Sequence, residues 1–80
     1  MTAHIIVTLK EGVLDPQGKA LHHALHALGF NEVLDARVNK HITLSLTGGD
    51  VALERAKVEQ MCETLIANTV IENYSIEILP

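Results

Sequence analysis

Three histidines lie within five positions of the sequence: His22, His23 and His26. On a helix, residues 22 and 26 are one turn apart, so that their imidazoles could bind a metal ion from a single face. A zinc site needs three or four protein ligands, and neither a carboxylate within the group nor a cysteine pair nearby supplies the others. We therefore interpret the three side chains as exposed histidines and predict no metal site.

A second candidate is the stretch Asp15-Pro16-Gln17-Gly18-Lys19 at the start of a predicted helix. Free N–H groups at a helix N-terminus can bind an anion, but a carboxylate at the cap occupies that position and repels phosphate. The spacing also matches neither the phosphate-binding loop nor the dinucleotide-binding glycine motif. Chemistry alone favours structural capping by Asp15 over ligand binding.

Further polar residues of both signs follow along the chain, and no catalytic group stands among them. The polar set comprises Asn31, Glu32, Asp35, Arg37 and Lys40. On a strand such residues either pair across an interface or solvate a sheet edge, and solvation is the simpler reading. Ser45 and Thr64 have no histidine and acid arranged around them, so we predict no catalytic residue.

Composition excludes several classes of protein. The net charge is −4 and the six Lys and Arg are scattered, whereas nucleic-acid binders gather positive charge on one face. With two aromatic residues there is no base-stacking platform, and no apolar run is long enough to span a bilayer. Cys62 stands alone in an apolar helical stripe, which indicates a buried thiol in a reducing compartment. We expect no nucleic-acid or membrane partner and a cytoplasmic location.

The residue pattern predicts six elements in the order βαββαβ. Alternating apolar residues predict strands, and apolar residues three or four apart predict helices. The predicted strands cover residues 3–10, 30–38, 41–47 and 70–79, with helices from 16 to Gly29 and from 51 to Asn68. Asn39 and Lys40 would form the turn of a hairpin between the second and third strands.

These elements predict an α+β fold: a ferredoxin-like two-layer sandwich whose antiparallel sheet carries two helices on one face. The first helix would bury one apolar stripe against the sheet: Ala20, Leu21, Ala24, Leu25 and Leu28. We expect residues 1–80 to form a single domain. A chain this short buries little surface by itself, so we also expect a homodimer or homotetramer.

Three stretches together resemble PurS, the small subunit of phosphoribosylformylglycinamidine synthase. The first runs without a gap from Val7 to Ala20 and contains Asp15-Pro16-Gln17-Gly18-Lys19. The second is Asn31-Glu32-Val33 with Asp35, Arg37 and Lys40. The third is Met61-Cys62-Glu63 followed by residues 65–74, which include Asn68 and Glu72.

The resemblance implies a non-catalytic subunit that joins an ATP-dependent synthetase subunit to a glutaminase subunit and helps ammonia pass between them. ATP, magnesium and glutamine would be used by the complex, with no cofactor on this subunit. Under this reading Gly18, which costs up to about 1 kcal/mol in a helix, suggests that another backbone approaches closely there.

The resemblance also turns twelve residues into candidate contacts with a partner. They are Asp15, Pro16, Gln17, Gly18, Lys19, Asn31, Glu32, Asp35, Arg37, Lys40, Asn68 and Glu72. The alternatives from other classes are a ferredoxin-like module that senses a small metabolite at a dimer interface and a metal carrier of the same fold. The His-rich helix cannot be attached to the function that the resemblance implies.

Overall fold

The computed structural model describes all 80 residues and contains three strands and two helices. The elements are β1 (Thr2–Leu9), α1 (Pro16–Ala27), β2 (Lys40–Ser45), α2 (Val51–Met61), which continues as a π-helical turn (Cys62–Ile66), and β3 (Glu72–Leu79). The sheet is antiparallel with the strand order β2-β1-β3. The predicted α+β class, with an antiparallel sheet and two helices, is confirmed.

The core lies between one face of the sheet and α2. Ile5 on the central strand is fully buried and stands between Ile42 of β2 and Ile76 of β3. From the helical side Val58 and Cys62 pack against this face. Burial raises the pKa of the Cys62 thiol, with the nearby Glu63 carboxylate adding to the effect. The alternation in β1 therefore identified the buried face correctly, and Cys62 is the buried thiol that its apolar stripe predicts.

The prediction of a strand over residues 30–38 is wrong for the isolated chain. This segment has a turn at residues 31–32 and no strand pairing, and the hairpin at Asn39 and Lys40 is absent. In a ferredoxin-like sheet the missing strand would lie at the edge beside β2, which consequently pairs only with β1. The physical reason is that side chains of α1, rather than β2, bind the backbone of residues 30–38.

The helix α1 also departs from the predicted packing. Only α2 packs against the sheet, while within α1 the sole buried residue is Gly18. Leu21 and Leu28, which were predicted to face the core, are 46% and 74% exposed. The apolar stripe of α1 thus has no partner within its own chain.

The molecule is correspondingly elongated. Its radius of gyration is 16.1 Å and its principal extents are 49 × 25 × 14 Å, whereas a compact chain of 80 residues would have a radius of gyration of about 12 Å. None of its helices combines the length and the apolar character needed to cross a bilayer. We call α1 together with residues 30–38 the arm, since it stands apart from the sheet.

Candidate functional site

Asp15 joins the two parts of the arm. As the N-cap of α1, its Oδ1 accepts the backbone N–H of Gly18 at 2.9 Å. Its Oδ2 accepts the backbone N–H of Val38, also at 2.9 Å and 23 residues further along the chain. These two hydrogen bonds, the one from Gly18 first, hold the pKa of the Asp15 carboxyl below its usual value. The predicted cap is confirmed, and the bond to Val38 is an addition that no local pattern indicates.

Gly18 lies at a close approach between α1 and residues 30–38. A side-chain carbon at this position would clash with the carbonyl oxygen of Ala36 and come within 2.8 Å of the Asp15 carboxylate. Gly18 is buried, although it belongs to the first turn of an otherwise exposed helix. A backbone does approach closely at this glycine, but it is the chain's own, at Ala36, whereas the resemblance suggested a backbone at an interface.

His22 and His26 bind the segment of residues 33–38 at Val33, the end opposite to the one that Asp15 binds. Their Nε2 atoms lie 2.9 and 2.7 Å from one acceptor, the carbonyl oxygen of Val33. Residues 15, 18, 22 and 26 are spaced by three, four and four, which places them on one stripe of α1. Residues 33–38 therefore run antiparallel to α1, and sequence reasoning missed the two histidines because their acceptor is a backbone atom.

Two small cavities flank Asp15. The first has a volume of about 230 Å³ and lies between α1 and the segment, with Lys19, His22, Asp35 and Arg37 among its lining residues. The second, of about 220 Å³, lies between the start of α1 and the sheet. Its polar lining consists of Asp15, Gln17, Asn39, Lys40 and Glu72.

The charges at the first cavity are mixed and accessible. Arg37 Nε lies 3.6 Å from Asp35 Oδ2, and both side chains are largely exposed. An exposed pair of this kind contributes little to stability, because water screens it. Such a pair is instead free to exchange its partner for a group on another chain, which suits electrostatic recognition.

At the second cavity the polar groups are held more firmly. Glu72 is mostly buried; its Oε2 lies 3.9 Å from Lys40 Nζ, and its Oε1 accepts the backbone N–H of Asn68 at 2.7 Å. Asn68 in turn accepts the N–H of Val70 through its side chain at 3.2 Å. This network fixes the connection that leads into β3, whereas the Lys40 side chain itself is 68% exposed.

The structure thus brings most of the predicted site residues together around Asp15. Pro16 and Gln17 line the second cavity with Lys40 and Glu72, and the first holds Lys19 with Asp35 and Arg37. Asn31 and Glu32 lie apart, at the exposed turn that precedes Val33, and line neither cavity.

The arrangement places polar and charged side chains where another molecule can reach them. No three His, Cys, Asp or Glu side chains converge as they would around a metal ion. The thiol of Cys62 is buried beneath α2, away from both cavities. What the site presents is a patch of mixed charge on a narrow, projecting arm.

Comparisons with known proteins point in one direction. Residues 2–80 match the family model for PurS, described as phosphoribosylformylglycinamidine (FGAM) synthase. The chain is 50% identical over 74 residues to the PurS subunit of this synthase from Bacillus subtilis, which covers 92% of the chain and 87% of that protein. The corresponding subunit from Synechocystis is 46% identical over 92% of the chain and 74% of its own length.

Solved structures agree with the sequence relatives. A PurS structure from B. subtilis superposes with a TM-score of 0.87 at 47% identity, covering 99% of this chain and 98% of the other. A chain of the PurLQS structure from Thermotoga maritima gives a TM-score of 0.85 at 26% identity, covering 98% and 96%.

Proposed function

Because the chain belongs to the PurS family of phosphoribosylformylglycinamidine synthase subunits, we propose that it joins a synthetase subunit to a glutaminase subunit and supports ammonia transfer between them. The synthase is an ATP-dependent ligase complex of purine biosynthesis, and this chain is one of its subunits. The observation that carries the joining role is the arm, which projects from the sheet and bears the mixed-charge patch around Asp15.

The unpartnered stripe of α1 supports self-association as part of this role. Leu21 and Leu28 are exposed on a helix that has no sheet beneath it, and only 8 of 80 residues are buried. Exposed apolar side chains of this kind are stabilised when a second chain covers them. The proposed unit is a homodimer or homotetramer in which α1 packs against another copy, so that each assembly presents more than one arm.

The contacts with the other subunits are assigned to the two cavities and their surroundings. Lys19, Asp35, Arg37 and Lys40 would provide exchangeable charges, while Gln17 and the mostly buried Glu72 would add polar groups beside them. Asn31 and Glu32 remain candidates at the adjoining turn, where they are exposed. Asp15, Gly18 and Asn68 act on these contacts indirectly, because they shape the backbone beneath them.

The remaining features of the proposal follow from the complex. ATP, magnesium and glutamine would be used by the other subunits, and this chain would carry no cofactor. A free thiol at Cys62 is typical of a reducing compartment, which supports a cytoplasmic location. Residues 1–80 would act as a single PurS-like domain.

Reconstitution tests the proposed function. The purified chain should show neither glutaminase nor ATPase activity, and it should restore glutamine-dependent synthase activity to a mixture of the other two subunits. It should also show no thermal shift with small metabolites, which separates this role from a metabolite sensor. Failure to co-purify with either subunit, with no gain of activity in the mixture, would contradict the proposal.

Charge reversal tests the assigned surface. Lys19→Glu and Arg37→Glu should each weaken assembly about tenfold or more. A reversed charge at an interface meets a like charge on the partner, and this repulsion costs more binding free energy than a change at a screened surface position. The fold should be unaffected, since both side chains are exposed. Arg55→Glu, an exposed cation on α2, is the control. It loses one hydrogen bond to the carbonyl oxygen of Ile76 but lies outside the arm, so it should assemble normally. Unchanged binding by both arm variants in titration calorimetry would remove these residues from the interface.

A further inference from the structure

The carbonyl oxygen of Val33 accepts from two imidazoles at once. The bonds from His22 Nε2 and His26 Nε2 are 2.9 and 2.7 Å long, and the rings meet edge to face with centroids 4.4 Å apart. A carbonyl oxygen has two lone pairs, so both bonds can form together if each ring carries its proton on Nε2. His23 lies between them in sequence, is exposed and makes no such bond.

Residues 30–38 have no strand partner, so their contacts with α1 and its cap are what hold them. The segment is tied to α1 near its end, where Val38 N–H bonds to Asp15 and Ala36 lies against Gly18. Val33 provides the tie at the other end. Asp35 and Arg37 lie between these points, on exposed backbone whose own side-chain bond, Asp35 to the N–H of Ala36, is local.

We propose that His22 and His26 are positioning residues: a paired-donor clasp that holds residues 33–38 along α1 and so sets where Asp35 and Arg37 stand. The effect of the clasp on assembly rests on the proposed function, whereas the clasp itself does not. This gives the His-rich helix a mechanical role that its sequence alone did not indicate.

Amide hydrogen exchange on the full chain measures the clasp directly. In His22→Leu/His26→Leu both donors are lost while helix propensity is kept. The hydrogen-bonded amides of Val33 and Val38, which bind the Phe30 carbonyl and the Asp15 carboxylate, should then exchange about tenfold faster or more. Amides of β1 should be unchanged, which also shows that the variant folds. His22→Gln/His26→Gln keeps an N–H donor on each side chain and should restore most of the protection. His23→Leu is the matched control and should behave as the wild type.

Two measurements, amide exchange and binding to the other subunits, separate failure of the clasp from failure of the proposed function. Unchanged exchange at the amides of Val33 and Val38 in the double leucine variant, or an equal change in His23→Leu, would overturn the clasp. If the double leucine variant is too unstable, His26→Leu alone should give a smaller increase in the same amides, and no increase would overturn the clasp. Binding to the other subunits should weaken in the leucine variant and recover in the glutamine variant. Faster exchange with undiminished binding would leave the clasp intact and contradict the placement of Asp35 and Arg37 at the interface.

Discussion

Asp15 shows how one carboxylate can serve two parts of a chain. One oxygen caps α1 through Gly18, and the other holds Val38, which is remote in sequence. Each bond is made to the charged form, so both lower the pKa of the carboxyl. The same residue therefore begins the helix and closes the arm, and its protonation weakens both contacts together.

The first prediction concerns the pH dependence of this contact. Since the folded-state pKa of Asp15 lies below the unfolded value, near 3.8, its stabilising contribution is present above that value and is lost as pH falls through the folded-state pKa. Wild type should be more stable than Asp15→Asn at neutral pH, and the difference should shrink below about pH 3.8. Urea midpoints of the two proteins between pH 2 and 7 measure this difference. A difference that is constant throughout that range would contradict the assignment.

At the scale of elements, α1 has two faces with different contacts. One stripe, formed by residues 15, 18, 22 and 26, binds the segment 33–38 through polar and backbone contacts. Another, which contains Leu21 and Leu28, is apolar and faces outward. A helix with both faces engaged would lie between its own segment 33–38 and a neighbouring chain.

The second prediction concerns the close approach at Gly18. In an exposed helix Gly→Ala stabilises by up to about 1 kcal/mol, but here the added carbon meets the carbonyl of Ala36. Gly18→Ala should instead destabilise the folded state by about 1–3 kcal/mol, as overpacking does. Gly49→Ala, at a site with open space around it, is the control and should change little. Stabilisation by Gly18→Ala in urea denaturation would show that the segment does not lie where the structure places it.

At the scale of the whole molecule, shape and burial together indicate a chain that is incomplete by itself. Its sheet is covered on one face by α2, while the arm extends the longest dimension to 49 Å without adding a core. A domain of this length is only marginally stable even when compact. Covering the apolar stripe of α1 with another copy would provide the missing burial.

The third prediction follows from this dependence on a second copy. For a dimer that unfolds to monomers, a hundredfold rise in protein concentration should stabilise by about 2.7 kcal/mol per mole of dimer, which raises the urea midpoint. Leu21→Gln/Leu28→Gln should weaken self-association in sedimentation equilibrium more than the control Leu65→Gln, which is exposed in the π-helical turn after α2. A concentration-independent midpoint with a monomer mass would contradict self-association through α1.

Local patterns were sufficient for a large part of this molecule. Alternation along β1 and β3 predicted the buried faces, because side chains of a strand alternate between its two sides whatever it pairs with. Asp15 predicted the start of α1, because capping involves residues only three positions apart, and Asp50 caps α2 in the same way through the N–H of Leu53. The stretch around Asp15 likewise indicated the region where the site residues meet.

The course of residues 30–38 could not be predicted in this way. An alternating extended segment can pair as a strand or lie along a helix, and the choice depends on which distant groups bind its backbone. Here they are the side chains of Asp15, His22 and His26, up to 23 residues away. The position of Asp35 and Arg37 and the exposure of α1 therefore became known only from the tertiary structure. Both depend on contacts between residues that are distant in sequence, and a local pattern of apolar residues carries no information about such contacts.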